Sequence, residues 1–156
     1  MPYEEAMRWA LTEAGHASAT GEVPIGAVVL DRDGALVARG HNEREATGDP
    51  TAHAEIVALR RAATARASGG GDWRLSGDTL VVTLEPCTMC AGAIVQARID
   101  RLVYGAIDTK AGAVGSLWDV VRDLRLNHRP EVLSGILAGE CTEALERFFR
   151  QCRDVR

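Results

Sequence analysis

The chain has 156 residues, of which 46% are hydrophobic and 26% are charged, and these ordinary values exclude a disordered or fibrous protein. This length fits one domain, so we expect residues 1–156 to form a single domain. The formal net charge of −4 excludes a globally basic protein, so nucleic acid would have to bind a local basic patch.

The N-terminal segment carries an acidic pair where an export signal would be basic, and it has no apolar run long enough to span a membrane. We therefore expect a soluble cytoplasmic protein. Apolar residues at helical spacing between positions 3 and 15 predict an amphipathic helix that ends near Gly15. The stretches "VPIGAVVL" and "ALVARG", joined by "DRDG", predict a β-hairpin.

The middle of the chain alternates loops, helices and strands. The polar stretch "HNEREATGDP" predicts a loop, and the Ala- and Arg-rich run that follows predicts a helix from Thr51, its N-cap, to Arg66. The glycine-rich "ASGGGDWRLSGD" predicts a flexible segment. "TLVVTL" predicts a buried strand, after which Pro86 starts a helix that runs to about Ala97.

In the last third of the chain, "RLVYGAI" predicts a strand, "GSLWDV" a short helix, "EVLSGIL" a final short strand and "CTEALERFFRQC" a closing helix. Strands that alternate with helices are typical of a mostly parallel sheet covered on both faces. We therefore expect the α/β class, with a three-layer α/β/α fold.

Cys87 and Cys90 lie three residues apart in "PCTMC", at the start of a predicted helix. This spacing places both sulfurs on one helix face, and a helix N-terminus favours the thiolate that metal binding requires. The pair alone is compatible with redox chemistry, a metal site or burial as apolar side chains, and the first two are equally supported.

His53 and Glu55 favour the metal site, because His53 also lies in a first helical turn and two helix N-termini can converge on one ion. One His and two Cys form a three-ligand zinc set that leaves the fourth position for water, as in catalytic sites. A closed structural site would need a fourth ligand, and no other candidate has zinc-finger spacing: Cys141, Cys152, His16, His41 and His128. Glu55, near the ion but outside the ligand set, is suited to carry protons between water and substrate.

The signature "HAE" followed by "PCTMC" resembles that of the zinc-dependent cytidine and nucleobase deaminases. From Met7 to about Phe149 the chain more narrowly resembles the bacterial tRNA-specific adenosine deaminases. The stretches that carry this resemblance are "EVPIGAVV", "HNERE", "DPTAHAEI", "TLEPCTMCAGAI", "GAIDTKAGAVGSLWDV" and "NHRPEVLSGILAGEC".

The resemblance implies a five-stranded cytidine-deaminase-like fold, a homodimer, and conversion of adenosine to inosine at the wobble position of a tRNA anticodon, typically of an arginine tRNA. It implies one zinc ion per chain, with three ligands and Glu55 as proton carrier; the ligands would be His53, Cys87 and Cys90. Asn42 would hydrogen-bond the flipped base, and Asp108 would lie in the segment that touches the neighbouring nucleotides. We expect the dimer contact to include apolar residues of the cysteine helix, namely Ala91, Ile94 and Val95.

The C-terminal "RFFRQCRDVR" predicts a local basic surface, because its arginines recur every three residues and form a slowly winding stripe: Arg147, Arg150, Arg153 and Arg156. We expect Arg150 and Arg153 to bind phosphates of a tRNA anticodon stem-loop, with Arg129 of "NHRP" as a second candidate. Of the two phenylalanines in the stripe, one is expected in the core and the other, Phe149, against a base. The alternative is a solvated helix face.

Two other functions stay open at this point. A free nucleobase or nucleoside deaminase, such as guanine deaminase, shares HAE and PCxxC, and the acidic total charge slightly favours it. A non-catalytic RNA-binding or partner subunit is a different class of protein, and the presence of Glu55 argues against it.

Overall fold

The computed structural model describes residues 2–155, which form a five-stranded sheet with helices on both faces. Its elements in chain order are α1 (Glu4–Ala19), β1 (Gly26–Leu30), β2 (Leu36–His41), α2 (Arg44–Thr47), α3 (Ala54–Ser68), β3 (Thr79–Leu84), α4 (Thr88–Gln96), β4 (Arg101–Ala106), β5 (Glu131–Leu133) and α5 (Ala138–Asp154). In residues 2–155 no helix is both long and apolar enough to cross a membrane.

The strands lie in the order β2-β1-β3-β4-β5. β1 pairs antiparallel with β2 and with β3, whereas β3 pairs parallel with β4, and β4 pairs parallel with β5. The predicted three-layer fold and the hairpin are confirmed, and the sheet is mixed. Parallel pairs do not outnumber antiparallel ones, because the hairpin joins the sheet through β1.

Alternate residues of the strands face two apolar layers, as the period of a strand requires. Leu80 and Val82 of β3 face α3 and α4, whereas Val81 of β3 faces α1 and α5. All three side chains are fully buried. Each face of the sheet is therefore covered by a pair of helices, which leaves the sheet ends open for a site.

Two strand glycines allow helix backbones to approach the sheet closely. A Cβ atom on Gly26 of β1 would lie 1.9 Å from the carbonyl oxygen of Ala10 in α1. A Cβ atom on Gly40 of β2 would lie 2.7 Å from the carbonyl oxygen of Ala54 in α3. Only glycine fits at either position, so these residues fix how near α1 and α3 lie to the sheet.

Several predicted boundaries were wrong by a few residues. α1 continues past Gly15 to Ala19, because Ala17 is fully buried and its packing outweighs the weak helix propensity of one exposed glycine. Thr51 does not cap α3; its hydroxyl donates to Asp49, and His53 occupies the N-cap position without a side-chain capping bond. Likewise α4 does not start at Pro86: Cys87 is its N-cap, and the helix begins at Thr88.

Two segments differ in type from the prediction. "HNEREATGDP" contains the short helix α2, because the carboxylate of Glu22 accepts hydrogen bonds from the backbone N–H groups of Glu45 and Ala46. "GSLWDV" is not helical: Gly115 has φ of 125°, and its N–H donates to the carbonyl of Trp118 across a turn. Both outcomes depend on partners distant in sequence or on a glycine that permits positive φ.

Candidate metal centre and active-site pocket

Two helix N-termini bring the predicted metal ligands together. His53 is the N-cap of α3, and Cys87 is the N-cap of α4, directly beyond the end of β3. Cys90 lies one turn further along α4 and is fully buried. Since neither N-cap side chain makes a capping hydrogen bond to its helix, the imidazole and the thiol are free to face each other across the gap between the helices.

The three ligand atoms have the spacing of a tetrahedral zinc site. The Nδ1 atom of His53 lies 3.6 Å from Sγ of Cys87 and 3.5 Å from Sγ of Cys90. Zn–S bonds of about 2.3 Å and Zn–N bonds of about 2.0 Å place nitrogen and sulfur ligands about 3.5 Å apart in a tetrahedron. The donor set, its geometry and its partial burial therefore fit zinc, and His53 and Cys87 line a pocket.

The electrostatics also suit a cation. A hydrogen bond from the thiol of Cys90, together with His53, lowers the pKa of Cys87 to about 3. The same hydrogen bond and burial raise the pKa of Cys90, and the hydrogen bond with Cys87 raises the pKa of His53. The lowered pKa favours the Cys87 thiolate, which is the form that binds a divalent cation, and such a cation can displace the proton of Cys90.

Glu55 lies in the first turn of α3, two residues after His53, and is only 4% exposed. Burial raises the pKa of its carboxyl above the ordinary value. Its side chain lines the same cavity as His53 and Cys87. The structure therefore places a buried carboxyl group beside the ligand set.

The cavity next to the metal site has a volume of about 470 Å³, enough for a base and part of its sugar. Its walls combine apolar side chains, such as Val23, Ile25 and Leu84, with polar groups near the site. The predicted residues Asn42, Asp108 and Phe149 all line it. Sequence reasoning did not single out two cationic side chains at its mouth, Arg44 and Lys110.

Asn42 and Asp108 are held by local hydrogen bonds. The Nδ2 atom of Asn42 donates to the carbonyl of Val23 at 3.4 Å, and its Oδ1 atom accepts from the N–H of Arg44 at 3.2 Å. Asn42 is 3% exposed, so its amide has a fixed orientation at the cavity wall. The carboxylate of Asp108 accepts the N–H groups of Lys110 and Ala111, which closes a tight turn at the mouth.

A second cavity, of about 670 Å³, adjoins the first and shares Lys110 and Phe149 with it. Arg150 and Arg153 line this cavity, so two of the predicted phosphate-binding residues lie beside the active-site pocket. Phe149 is 48% exposed between the two cavities. Phe148 packs edge-to-face on it and is half-buried.

Other predicted residues are not brought to the pocket. Arg129 lines a separate cavity with Thr79 and Arg101, at the N-terminal ends of β3 and β4, whereas the metal site lies beyond the C-terminal end of β3. Arg147 pairs with Glu143 at 2.9 Å and lines neither cavity of the site. Arg156 lies outside the described residues.

The remaining cysteines are free thiols outside the ligand cluster. Cys141 is buried between α5 and β4, as expected for an apolar side chain. Cys152 is exposed and lines the second cavity beside Arg150 and Arg153.

Sequence reasoning missed Glu85, which organises the loop at the mouth of the pocket. This side chain is 2% exposed and accepts hydrogen bonds from the N–H groups of Asp108, Val114 and Ser116, at 3.0 to 3.1 Å, and from the Ser116 hydroxyl. Burial alone would raise the pKa of Glu85, but these hydrogen bonds outweigh it and lower the pKa. The sequence did show an acidic residue between a predicted buried strand and the predicted metal-binding helix, and this position could have indicated a role for Glu85 near the site.

The sequence matches the family model of the cytidine and deoxycytidylate deaminase zinc-binding region over residues 1–106. A tRNA-specific adenosine deaminase of Haemophilus influenzae is 49% identical to the chain over 153 residues, which are 98% of this chain and 86% of that protein.

Two solved structures are similar in fold. One, from a study of A-to-I editing by tRNA:A34 deaminases at the wobble position of transfer RNA, has a TM-score of 0.81 and 47% identity over 89% of this chain and 97% of that one. The other, a guanine deaminase from Nitrosomonas europaea, has a TM-score of 0.78 and 26% identity over 93% of this chain and 83% of that one. The chain matches the tRNA-specific deaminase over 98% of its length, and its sequence identity to the tRNA:A34 deaminase structure is higher than to the guanine deaminase. Both findings favour the tRNA-acting relatives. The chain therefore belongs to the zinc-binding cytidine and deoxycytidylate deaminase family, in its tRNA-specific adenosine deaminase branch.

Proposed function

We propose that the protein is a zinc-dependent hydrolase that converts adenosine to inosine at the wobble position of a tRNA anticodon, an arginine tRNA being the expected substrate. It acts as a single deaminase domain in the cytoplasm. The observation that carries the proposal is the joint placement of His53, Cys87, Cys90 and Glu55 around one cavity of nucleoside size.

In the proposed mechanism, His53, Cys87 and Cys90 would hold zinc, which would supply an activated water when bound. Glu55 would accept one proton of the attacking water and deliver it to N1 of adenine. It would then move the second proton, from the new hydroxyl on C6, to the departing amino group, which leaves as ammonia. Hydrogen bonds to the backbone of Val23 and Arg44 fix the side-chain amide of Asn42. This amide positions the base by contacting the polar edge of the base. The apolar walls exclude bulk water from the reacting carbon, since a flipped base fills the cavity.

The basic cavity supports RNA rather than a free base as the substrate. Three cationic residues and one acidic residue line a second space that a lone nucleobase would leave empty: Lys110, Arg150, Arg153 and Glu146. Phe149 lies between the two spaces, where an aromatic ring can stack on a base of a single-stranded loop. A loop also lets the target base leave the stack at small cost.

A substrate comparison tests this function. We expect inosine formation on an anticodon stem-loop that carries a wobble adenosine, and much slower reaction on free adenosine, adenine or guanine. Faster reaction on guanine than on the stem-loop would establish the guanine deaminase alternative. Binding of the stem-loop with no reaction on any of these substrates would indicate a non-catalytic RNA-binding subunit.

One zinc ion per chain should remain after dialysis against metal-free buffer. The Cys90→Ser change should lower this content to near zero, because a hydroxyl does not replace a thiolate ligand. The matched change Cys152→Ser alters an exposed thiol and should leave the zinc content unchanged. Equal metal content in the two variants, measured by elemental analysis, would contradict the ligand assignment.

RNA affinity should depend on the basic cavity at α5. The double change Arg150→Ala and Arg153→Ala should weaken stem-loop binding and flatten its dependence on log salt by about 1.4, since each phosphate contact on single strands contributes about 0.7. Arg129→Ala is the matched control, because this arginine lies at the other end of the sheet. Affinity and salt slope can be measured by fluorescence anisotropy, with zinc content as a check on folding.

If instead the double variant keeps the affinity and slope of the native protein, α5 is a solvated face. Loss of affinity in Arg129→Ala would show that RNA also reaches the opposite end of the sheet.

We also propose a homodimer, with a contact different from the one expected on sequence grounds. Ala91, Ile94 and Val95 are at most 2% exposed, because they form the inner face of α4 against the sheet, and so they are not available to a partner. The outer side of α4 presents the half-buried Ala93 and Ala97, which line a shallow groove with Trp73, itself 53% exposed. Apolar surface of this kind favours a protein partner.

Light scattering should therefore give twice the chain mass of 16.7 kDa. The Ala93→Arg change should shift the protein towards monomer, because it places a bulky charge in the groove. Ala67→Arg introduces the same side chain at an exposed position of α3 outside the groove, and the dimer should persist. A monomeric native protein at micromolar concentration would rule out the dimer.

A further inference from the structure

Apart from the catalytic centre, one other group of side chains has metal-ligand spacing within the described part of the chain. It consists of Glu13 and His16 of α1 and His41 at the end of β2, and their ligand atoms all lie within 4.8 Å of one another. The proposed deaminase chemistry uses none of these three residues. The group lies between α1 and β2, whereas the catalytic ligands lie at the start of α3 and α4.

Both imidazoles converge on a single carboxylate oxygen. Oε2 of Glu13 lies 3.0 Å from Nδ1 of His41 and 3.4 Å from Nδ1 of His16. Adjacent ligands of a divalent ion, at bond lengths of about 2.0 to 2.2 Å, are separated by about 2.9 Å in octahedral and 3.4 Å in tetrahedral geometry. The two distances from Glu13 are therefore those of neighbouring ligands of one ion, and the two histidines lie within 4.8 Å of each other.

The buried carboxylate lacks a permanent counter-charge. Glu13 is 6% exposed, and among residues 2–155 its salt-bridge partners are the two histidines, with no Arg or Lys within range. Neither histidine carries a permanent charge, and a buried anion without a cation is costly. A divalent cation held by Glu13 and the two imidazole rings would supply a fixed positive charge.

A second carboxylate stands behind one of the rings. Nε2 of His41 lies 3.8 Å from Oε1 of Glu43, and Glu43 is itself held by Arg61 at 3.3 Å. Metal-bound histidines commonly direct the other ring nitrogen at a carboxylate, which fixes the ring and makes it a better ligand. His16 is the accessible member, with a side chain 60% exposed, so an ion can enter from solvent.

From these contacts we propose that Glu13, His16 and His41 form a second divalent-metal site, separate from the catalytic centre, for an ion that favours imidazole, such as Zn²⁺ or Ni²⁺. Three protein ligands leave the remaining positions to water. Binding is weaker than at the dithiolate catalytic site, so dialysis empties this second site first. Since the ligands come from α1 and β2, the ion ties the helix to the sheet edge and stabilises the folded state.

The test starts from the holoenzyme, already loaded with its catalytic zinc. Zn²⁺ is titrated into it, heat is measured by calorimetry, and bound metal is measured by elemental analysis at equilibrium. We expect one further equivalent to bind and the melting temperature to rise by several degrees. His16→Ala should lose both effects while keeping the catalytic zinc, and because His16 is exposed the change leaves the packing of α1 intact. The matched change His128→Ala removes a histidine outside the group and should keep both effects.

Glu13→Gln retains the shape of the side chain but removes its negative charge. It should lower the affinity for the second equivalent of Zn²⁺ at least tenfold. Absence of a second equivalent in the native protein would overturn the proposal, and so would its persistence in His16→Ala. These outcomes do not depend on deaminase activity, so they are separate from a failure of the proposed function.

Discussion

Replacing Glu55 by Gln should abolish turnover of the anticodon stem-loop while zinc content and RNA affinity stay near those of the native protein. General acid–base catalysis contributes about 10²- to 10⁴-fold. Here one carboxylate serves more than one proton transfer, so the loss should reach or exceed the top of that range. Glutamine fills the same buried position in α3 but cannot accept and return a proton, which separates chemistry from packing.

Single-turnover assays measure the loss, and elemental analysis and anisotropy show that the site is otherwise intact. Glu45→Gln is a suitable control, because it neutralises an exposed carboxylate near the pocket that does not line it. If Glu55→Gln retained a tenth of native activity, Glu55 would not be the proton carrier.

The metal centre could be predicted from the sequence because its information is local. His53, Cys87 and Cys90 each lie at the start of a helix, and the CxxC spacing alone places two sulfurs on one face. The distances of 3.5 and 3.6 Å confirm that the predicted ligands converge. The strand order could not be predicted in the same way. It depends on β1 of the hairpin pairing with β3, and the hydrophobic pattern does not show which hairpin strand joins the sheet.

Features that depend on long-range hydrogen bonds were not predicted. The short helix α2 forms where Glu22, more than twenty residues earlier, accepts its first N–H groups. The inward side of α4 was assigned to a partner chain, because an apolar stripe does not reveal which surface covers it. Arg129 was placed with the RNA-binding residues on chemistry alone, whereas the topology carries it to the opposite end of the sheet.

Glu85 has the second largest expected effect on activity, although it belongs to no recognised ligand set. Its carboxylate binds three backbone N–H groups of the loop from Asp108 to Ser116. The loop packs so closely on it that a Cβ atom on Gly112 would lie 2.3 Å from Oε2 of Glu85. Since Asp108 and Lys110 of this loop line the pocket mouth, we infer that Glu85 is a positioning residue for bound RNA.

Glu85→Gln should lower kcat/KM on the stem-loop by about 10- to 100-fold, because a shift of about 1 Å in a positioning group can cost 10²-fold. The amide presents N–H groups to backbone N–H donors, so the unfolding free energy should also fall, by about 2 to 3 kcal/mol. Zinc content should not change, since the hydrogen bonds of Glu85 go to the loop and not to the ligands His53, Cys87 and Cys90. Steady-state kinetics, thermal melts and elemental analysis provide the three measurements.

The control and the pH dependence distinguish positioning from general stability. Asp78→Asn neutralises another carboxylate that is 2% exposed, but one that pairs with Arg66 at 2.6 Å, at the end of the sheet away from the pocket. It should lower stability without a comparable loss of kcat/KM. Because hydrogen bonds hold the pKa of Glu85 below its ordinary value of 4.5, its stabilising contribution is present above that pH and is lost as the pH falls through the lowered pKa. Glu85→Gln should remove this part of the acid sensitivity, whereas equal kinetic losses in Glu85→Gln and Asp78→Asn would mean that Glu85 acts only through stability.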